Sequence, residues 1–235
     1  MATKKTKPEL PEAPFEGFPK AGISWFQSLA IAQNREWFQA NKPAYEQLWL
    51  QPMHSLLAEL RAPLEKIYGR TLGPTKVFRP NRDVRFAKDK SPYKTNIAGM
   101  LPFEGFEPME GPAALYLHLG LEEVVAFGFY MLEPASLQKL RKLLIEDKTG
   151  VPLAQLINAA GKGGLVPDSM ERLKRPPPGV SAEHPRVELL KNKALALSCS
   201  KVPRRVRFGA GFKGFVLEQA KAAAPVVKWG LAQKL

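Results

Sequence analysis

A single cysteine, Cys199, excludes an internal disulfide and any thiolate metal cluster within one chain, and it fits a reducing compartment. Three histidines, His54, His118 and His184, stand too far apart for a zinc spacing. No metal or cofactor is therefore expected. No run approaches the roughly 18 uncharged apolar residues of a membrane-spanning helix. The N-terminal lysines have no apolar stretch behind them, so no secretory signal is read and a cytoplasmic location is expected. The phosphate-binding loop, the dinucleotide fingerprint, the zinc-protease motif and the nucleophile elbow are all missing. The run Gly161 to Gly164 reads as a flexible helix end rather than a phosphate cradle, and Cys199, inside an apolar run, as a small buried residue rather than a nucleophile.

What the chain has in excess is positive charge. Its 35 Lys and Arg outnumber 22 Asp and Glu, for a net charge of +13 over 235 residues. Such a balance attracts anions and says nothing about fold. Two segments carry nearly all of it: Lys76 to Lys94 and Ser169 to Arg207. They form one positive groove if the fold joins them and two solvated faces if it does not. The remaining composition, 45% hydrophobic and 24% charged, is that of a globular protein.

Residues 1–17, basic and rich in proline, are expected to form a flexible leader, and residues 18–235 a single α+β domain. A short helical pattern begins at Ile23, and Asn34 is placed to cap a longer helix or helix pair with Pro43 and Pro52 as starts or kinks. After Pro74 the period changes to two, and a strand is expected over Lys76 to Phe86, with Arg82 falling on its apolar face. Pro80 would put that strand at an edge or near its start. Ala114 to Leu121 and Val124 to Leu132 alternate more cleanly, around a turn at Glu122 and Glu123, as an antiparallel hairpin. The helix near Trp37 is expected to pack on the sheet. Pro134 and Pro152 read as openings of two helices, "HPRVELLKNKALALS" as a short helix and a strand, and Phe212 to Leu231 as a closing helix. Helices at both ends around a run of strands argue for a mainly antiparallel sheet flanked by N-terminal and C-terminal helices.

The stretch "FRPNRDVRFAKDKSPYKTN" (Phe78 to Asn96) is preceded by "NREWFQANKPAYE" and followed by "ALYLHLG", "GFYMLEPASL", "HPRVELLKNK" and "APVVKW". In these it resembles the bacterial and fungal family catalogued as domain of unknown function 2461, over about residues 18 to 232. The resemblance implies a single domain and assigns Arg82, Asp83, Arg85, Phe86, Asp89, Lys90, Pro92, Tyr93 and Lys94 to the family's central motif. It brings no activity with it.

Chemically, arginine forks bind phosphate or carboxylate at two points, lysines add point charge, and a tyrosine offers a hydroxyl or a stacking face. Arg79, Arg82, Arg85, Lys88, Lys90, Tyr93 and Lys94 are thus the candidate ligand-binding residues. Asp83 is suited to orient Arg85 or to hold Arg82. His118, with Tyr116 beside it on one strand face, is the histidine with the setting for proton transfer; His118, Tyr116 and Asp83 are the catalytic candidates. Three functions stay open: a binder of an anionic ligand or nucleic acid, an enzyme acting on a small phosphorylated or carboxylated substrate, and a protein-interaction scaffold whose charge aids solubility.

Overall fold

The computed structural model describes residues 13–85, 88–106, 111–168, 172–199 and 201–235. Residues 1–12 of the expected leader lie outside them. The part that follows is tied down: Phe15 N donates to Glu59 Oε1 at 2.6 Å, and Phe15 and Phe18 are buried against Phe212, with Phe18 also against Trp49.

Helix α1 (Ala21–Ala32) ends at Gln33, and Asn34 then caps α2 (Arg35–Tyr45) by accepting from Trp37 N at 2.8 Å. The helical rod does not stop at either proline. Pro43 lies inside α2, a π-helical turn (Glu46–Leu50) follows, and α3 (Gln51–Tyr68) begins with Pro52 in its first turn. The wider turn, with Gln51 N reaching back to Glu46 O, joins the two helices just ahead of a residue that has no N–H to give. Trp49 is fully buried in the angle between α1 and this rod, and its Nε1 donates to Gly22 O at 3.1 Å.

Six strands form one antiparallel sheet in the order β1-β2-β3-β4-β6-β5: β1 (Lys76–Val77), β2 (Asn96–Pro102), β3 (Ala113–Gly120), β4 (Glu123–Phe129), β5 (Val166–Asp168) and β6 (Leu195–Cys199). The hairpin of β3 and β4 stands where its alternation put it, ending at Phe129 rather than Leu132. The first expected strand is corrected. Only Lys76 and Val77 lie in a ladder, with Phe78 N still bonded to Ala98 O at 2.9 Å. From Pro80 the chain folds on itself instead: Arg82 N donates to Pro92 O, and Lys94 N to Pro80 O, both at 2.8 Å. Pro80, with no N–H of its own, ends the pairing with β2, and its carbonyl serves the return strand of this narrow hairpin. Arg82 is thus in the hairpin and not on an apolar strand face; Phe86 lies outside the described residues.

β2 was not anticipated, because "NIAGMLP" carries glycine and proline and is buried along nearly its whole length, so it shows no alternation. Its Gly99 lets α3 lie directly on the sheet: a Cβ there would come within 2.8 Å of Leu57 and 2.9 Å of Met53. It is therefore α3, not the Trp37 end of the rod, that covers the sheet, while α2 packs on α1.

Helix α4 (Pro134–Ile145) opens at its proline, as expected. α5 (Asp147–Gly161) starts five residues before Pro152, which sits inside it. The short α6 (Val187–Leu190) and α7 (Arg204–Arg207) lead into α8 (Gly211–Ala232), whose Val216, Ala220, Ala223, Val226 and Val227 are buried. Helices α1, α3, α5 and α8 pack on one face of the sheet, the face of Leu115, Leu117, Leu119, Val125, Phe127, Phe129, Leu195 and Leu197. That arrangement is the core of an α+β fold. The opposite face, carrying Tyr116 and His118, is left to loops and side chains. No helix of the described residues is long and apolar enough to cross a membrane.

Candidate functional site

On the helix-free face, cross-strand pairing sets the floor. Ala98 on β2 pairs with His118 on β3 and that with Val124 on β4; Met100 pairs with Tyr116, and that with Ala126 and then Ser198. Gly128 pairs with Ala196, and Ala196 with Asp168 on β5. Around Tyr116 and Tyr130 the floor is Met100 and the small residues Ala126, Ser198, Gly128 and Ala196. Met100, Ala113, Tyr116, Ala126, Gly128, Tyr130 and Ala196 line one concavity. Gly128 cannot carry a side chain: its φ is +106°, and a Cβ would lie 2.5 Å from Leu195 O.

The Pro80–Lys94 hairpin overhangs one end of this face, and the Phe38–Tyr93 pair fixes it there. Their rings stack at 4.2 Å and 7°, and Tyr93 N and O both bond to the Gln33 side-chain amide, at 3.1 and 3.2 Å. Tyr93 is therefore buried as the hairpin's anchor, with its ring face taken. Lys94, next in sequence, points the other way. Its Nζ stands 5.9 Å from the Phe78 ring centre and 3.4 Å from Arg79 O. Burial, and after it the positive charges of Arg79 and Arg82, hold the Lys94 ammonium below the ordinary lysine value.

The other motif residues divide sharply. Asp83 takes the Arg85 fork at 3.0 and 2.7 Å, which, with a backbone bond from Arg85, pulls its carboxyl down to about 2. Both are exposed at the hairpin's tip, so Asp83 does orient Arg85. Arg82 pairs with Asp89 at 3.2 Å, and its Nε is buried with no partner among the described residues. Lys90 Nζ donates to Val84 O at 2.8 Å, and Lys88 is exposed. Arg79 is exposed, and neither it nor Lys94 has an ion pair among the described residues.

His118 lies within electrostatic reach of Lys94. Burial lowers its pKa; Glu122 opposes that and Lys94 adds to it, so the imidazole is neutral at neutral pH. Its Nε2 is buried without a hydrogen-bond partner among the described residues. Tyr116 sits between two rings, 6.3 Å from Phe78 edge-on and 6.0 Å from Tyr130 at 20°. Burial, then the Asp168 carboxylate, raises the Tyr116 hydroxyl; the Tyr130 hydroxyl is pushed up to about 12 by burial, with Tyr116 and Asp168 adding. Both phenols stay protonated. Tyr130 and Asp168 were not foreseen. Tyr130 shares the parity of Gly128 in "VVAFGFYML", the mark of the second face, but nothing in the sequence links Asp168, about 50 residues away from Tyr116, to it.

Four of the ten basic side chains of the second segment are spent on structure. Arg186 is buried and bonds to Leu144 O, Ile145 O and Asp147; Arg207 is buried against Glu123; and Arg172 and Lys191 both hold Glu188. No three His, Cys, Asp or Glu among the described residues gather as a metal site.

No curated protein matches the chain. Residues 21–229, which span α1 through most of α8 and include the hairpin and both tyrosines, match the family model described as a conserved hypothetical protein, DUF2461, and the chain belongs to that family.

Proposed function

We propose that the chain binds a small phosphate- or carboxylate-bearing ligand at the hairpin end of the helix-free sheet face, with Lys94 as the central contact, Arg79 beside it and His118 below. The observation that carries this is the gathering of like charge around a half-buried ammonium. Lys94 feels Arg79 and Arg82; Arg82 is paired with Asp89 and Asp83 lies within electrostatic reach of Arg79, but among the described residues no carboxylate makes an ion pair with Lys94 or Arg79. Charge set against charge in partial burial is costly unless an anion occupies the centre. Four of the second segment's ten basic side chains are held by Asp147, Glu123 and Glu188, while Lys174, Arg175, Lys201, Arg204 and Arg205 stay exposed, so a polynucleotide is the competing ligand that the test must separate from a small one.

An enzyme acting on such a ligand is the second reading, favoured by His118. A neutral imidazole with Nε2 unpaired beside a cation is equipped to take a proton from a bound group.

The test is thermal or denaturant stability in low salt with added inorganic phosphate. Phosphate at ten times its dissociation constant stabilises the parent by about 1.4 kcal/mol, and Lys94→Ala removes that gain while folding normally. No stabilisation at tens of millimolar phosphate or citrate refutes the reading. Tight binding of single-stranded oligonucleotide with a steep salt dependence would replace it by the nucleic-acid one.

A further inference from the structure

Where β3 turns into β4, the outer side of α1, the turn and α7 border an open crevice of about 420 Å³, a size within the ~300–1,000 Å³ of small-molecule clefts. It lies on the helix side of the sheet. Two adjacent glutamates mark the division: Glu122 is within electrostatic reach of His118 on the helix-free face, while Glu123 pairs with Arg207 in the crevice. The crevice is therefore separate from the Lys94 site.

Arg207 is its buried wall. The residue is 3% exposed, its guanidinium meets Glu123 and stands 4.3 Å from the Phe208 ring centre, and its Nε has no hydrogen-bond partner among the described residues. Glu123 is the one carboxylate of the lining, and it faces Arg207 together with Lys20 and Arg204. Lys20 and Arg204 are exposed, and neither has an ion pair among the described residues. Three cations against one carboxylate leave an excess of two positive charges. Beside them the lining is apolar: Ile23 on α1, Phe208 after α7, and Leu121, which is 42% exposed at the turn and is held there by its N–H on Thr95 O at 3.1 Å.

An inorganic anion would use the cations and leave the apolar side chains in water, and a neutral apolar molecule would leave the charge unanswered. We infer that this crevice binds a small organic acid, a single carboxylate on an aromatic or branched aliphatic body, with the carboxylate toward Arg204 and Lys20 and the body against Ile23, Leu121 and Phe208. A guanidinium fork matches a carboxylate at two points, and Glu123, already in the crevice, repels a second charge on the ligand. This goes beyond the anion site at Lys94 and does not depend on it.

The experiment is calorimetric titration of the full chain, at one low salt concentration, with phenylacetate, acetate and 2-phenylethanol. Phenylacetate binds at least tenfold tighter than acetate, which lacks the body, and than 2-phenylethanol, which lacks the charge. Arg204→Ala and Leu121→Ser, both at exposed positions, each weaken phenylacetate at least threefold with an unchanged melt, and Lys94→Ala leaves it unaltered. If phenylacetate binds no tighter than acetate, the apolar walls are not part of a site and the inference falls. If Arg204→Ala and Leu121→Ser change nothing, or Lys94→Ala abolishes binding, the acid is held elsewhere and the inference falls as well. A peptide ending in phenylalanine that binds a hundredfold tighter than phenylacetate would overturn the small acid in favour of a protein C-terminus.

Discussion

Replacing Arg186 by alanine tests whether this buried member of the second basic segment is scaffold. The guanidinium is 6% exposed and reaches the C-terminal end of α4, where the last carbonyls of a helix have no partner within it. Nε donates to Leu144 O at 2.6 Å and one terminal nitrogen to Ile145 O at 2.9 Å, while that same nitrogen meets Asp147 Oδ1 at 2.6 Å. A hydrogen bond from a charged donor contributes about 1.5 to 3 kcal/mol. Two of them on carbonyls beside the buried Leu144, at the negative end of a helix dipole, set the loss for Arg186→Ala at about 3 kcal/mol. That is a large part of a total stability of about 5 to 15 kcal/mol. Asp147, by contrast, is 85% exposed, so Asp147→Ala costs under about 1 kcal/mol. Urea unfolding with a slope of about 3 kcal/mol per molar gives a midpoint drop near 1 M for the arginine variant and a few tenths of a molar for the aspartate variant. Arg186→Lys recovers only part of the loss, because one ammonium cannot fork across both carbonyls. Equal losses at Arg186 and Asp147, or less than about 1 kcal/mol at Arg186, would show that the carbonyl cap is not what the arginine supplies.

Arg82→Ala is expected to cost less than about 1 kcal/mol, since Arg82 and Asp89 are 31% and 54% exposed; a loss of about 3 kcal/mol or more in a urea melt would mean that the hairpin depends on the arginine's buried Nε. Gly128→Ala forces an L side chain to φ +106° against Leu195 O and loses at least about 1 to 3 kcal/mol, read as a fall in melting temperature; an unchanged melt would mean β4 can relax there. His118 and His54 both have pKa values lowered by burial, so below about pH 6.5 the unfolded chain takes up protons that the folded chain does not. Stability therefore rises with pH from about 5 to 6.5 and levels off above it, and His118→Gln makes that rise shallower; a slope unaltered by the substitution would place His118 in free exchange with water.

Much of the fold was legible because its elements repeat. Leu115 to Leu121 and Val125 to Phe129 alternate, the residues from Trp37 to Leu60 recur at three and four, and Asn34 caps the helix that its position promised. Where the reading failed, tertiary contact overrode local pattern. β2 shows no alternation because α3 covers one side of it and Phe78, Tyr116 and Lys94 crowd the other. The strand expected over Lys76 to Phe86 had the right period, but Pro80 ended its pairing and the hairpin bonds of Arg82 and Lys94 took its place. Tyr93, which looked like a ligand residue from its neighbours, is turned inward by its stack on Phe38, and residues 13–17, which looked like leader, are held by Phe15.

The sequence by itself determined the α+β class, the β3–β4 hairpin, the capped rod and the charge excess with its two sources, since each depends on residue types at short range. Only the tertiary structure decided what that charge does. Whether a basic side chain is buried against a carbonyl, like Arg186, or left facing others of its own sign, like Lys94, depends on partners tens of residues away, such as Leu144 for the one and His118 for the other. For the same reason Asp168 joins Tyr116 and Tyr130 through strand register alone, which no local spacing encodes.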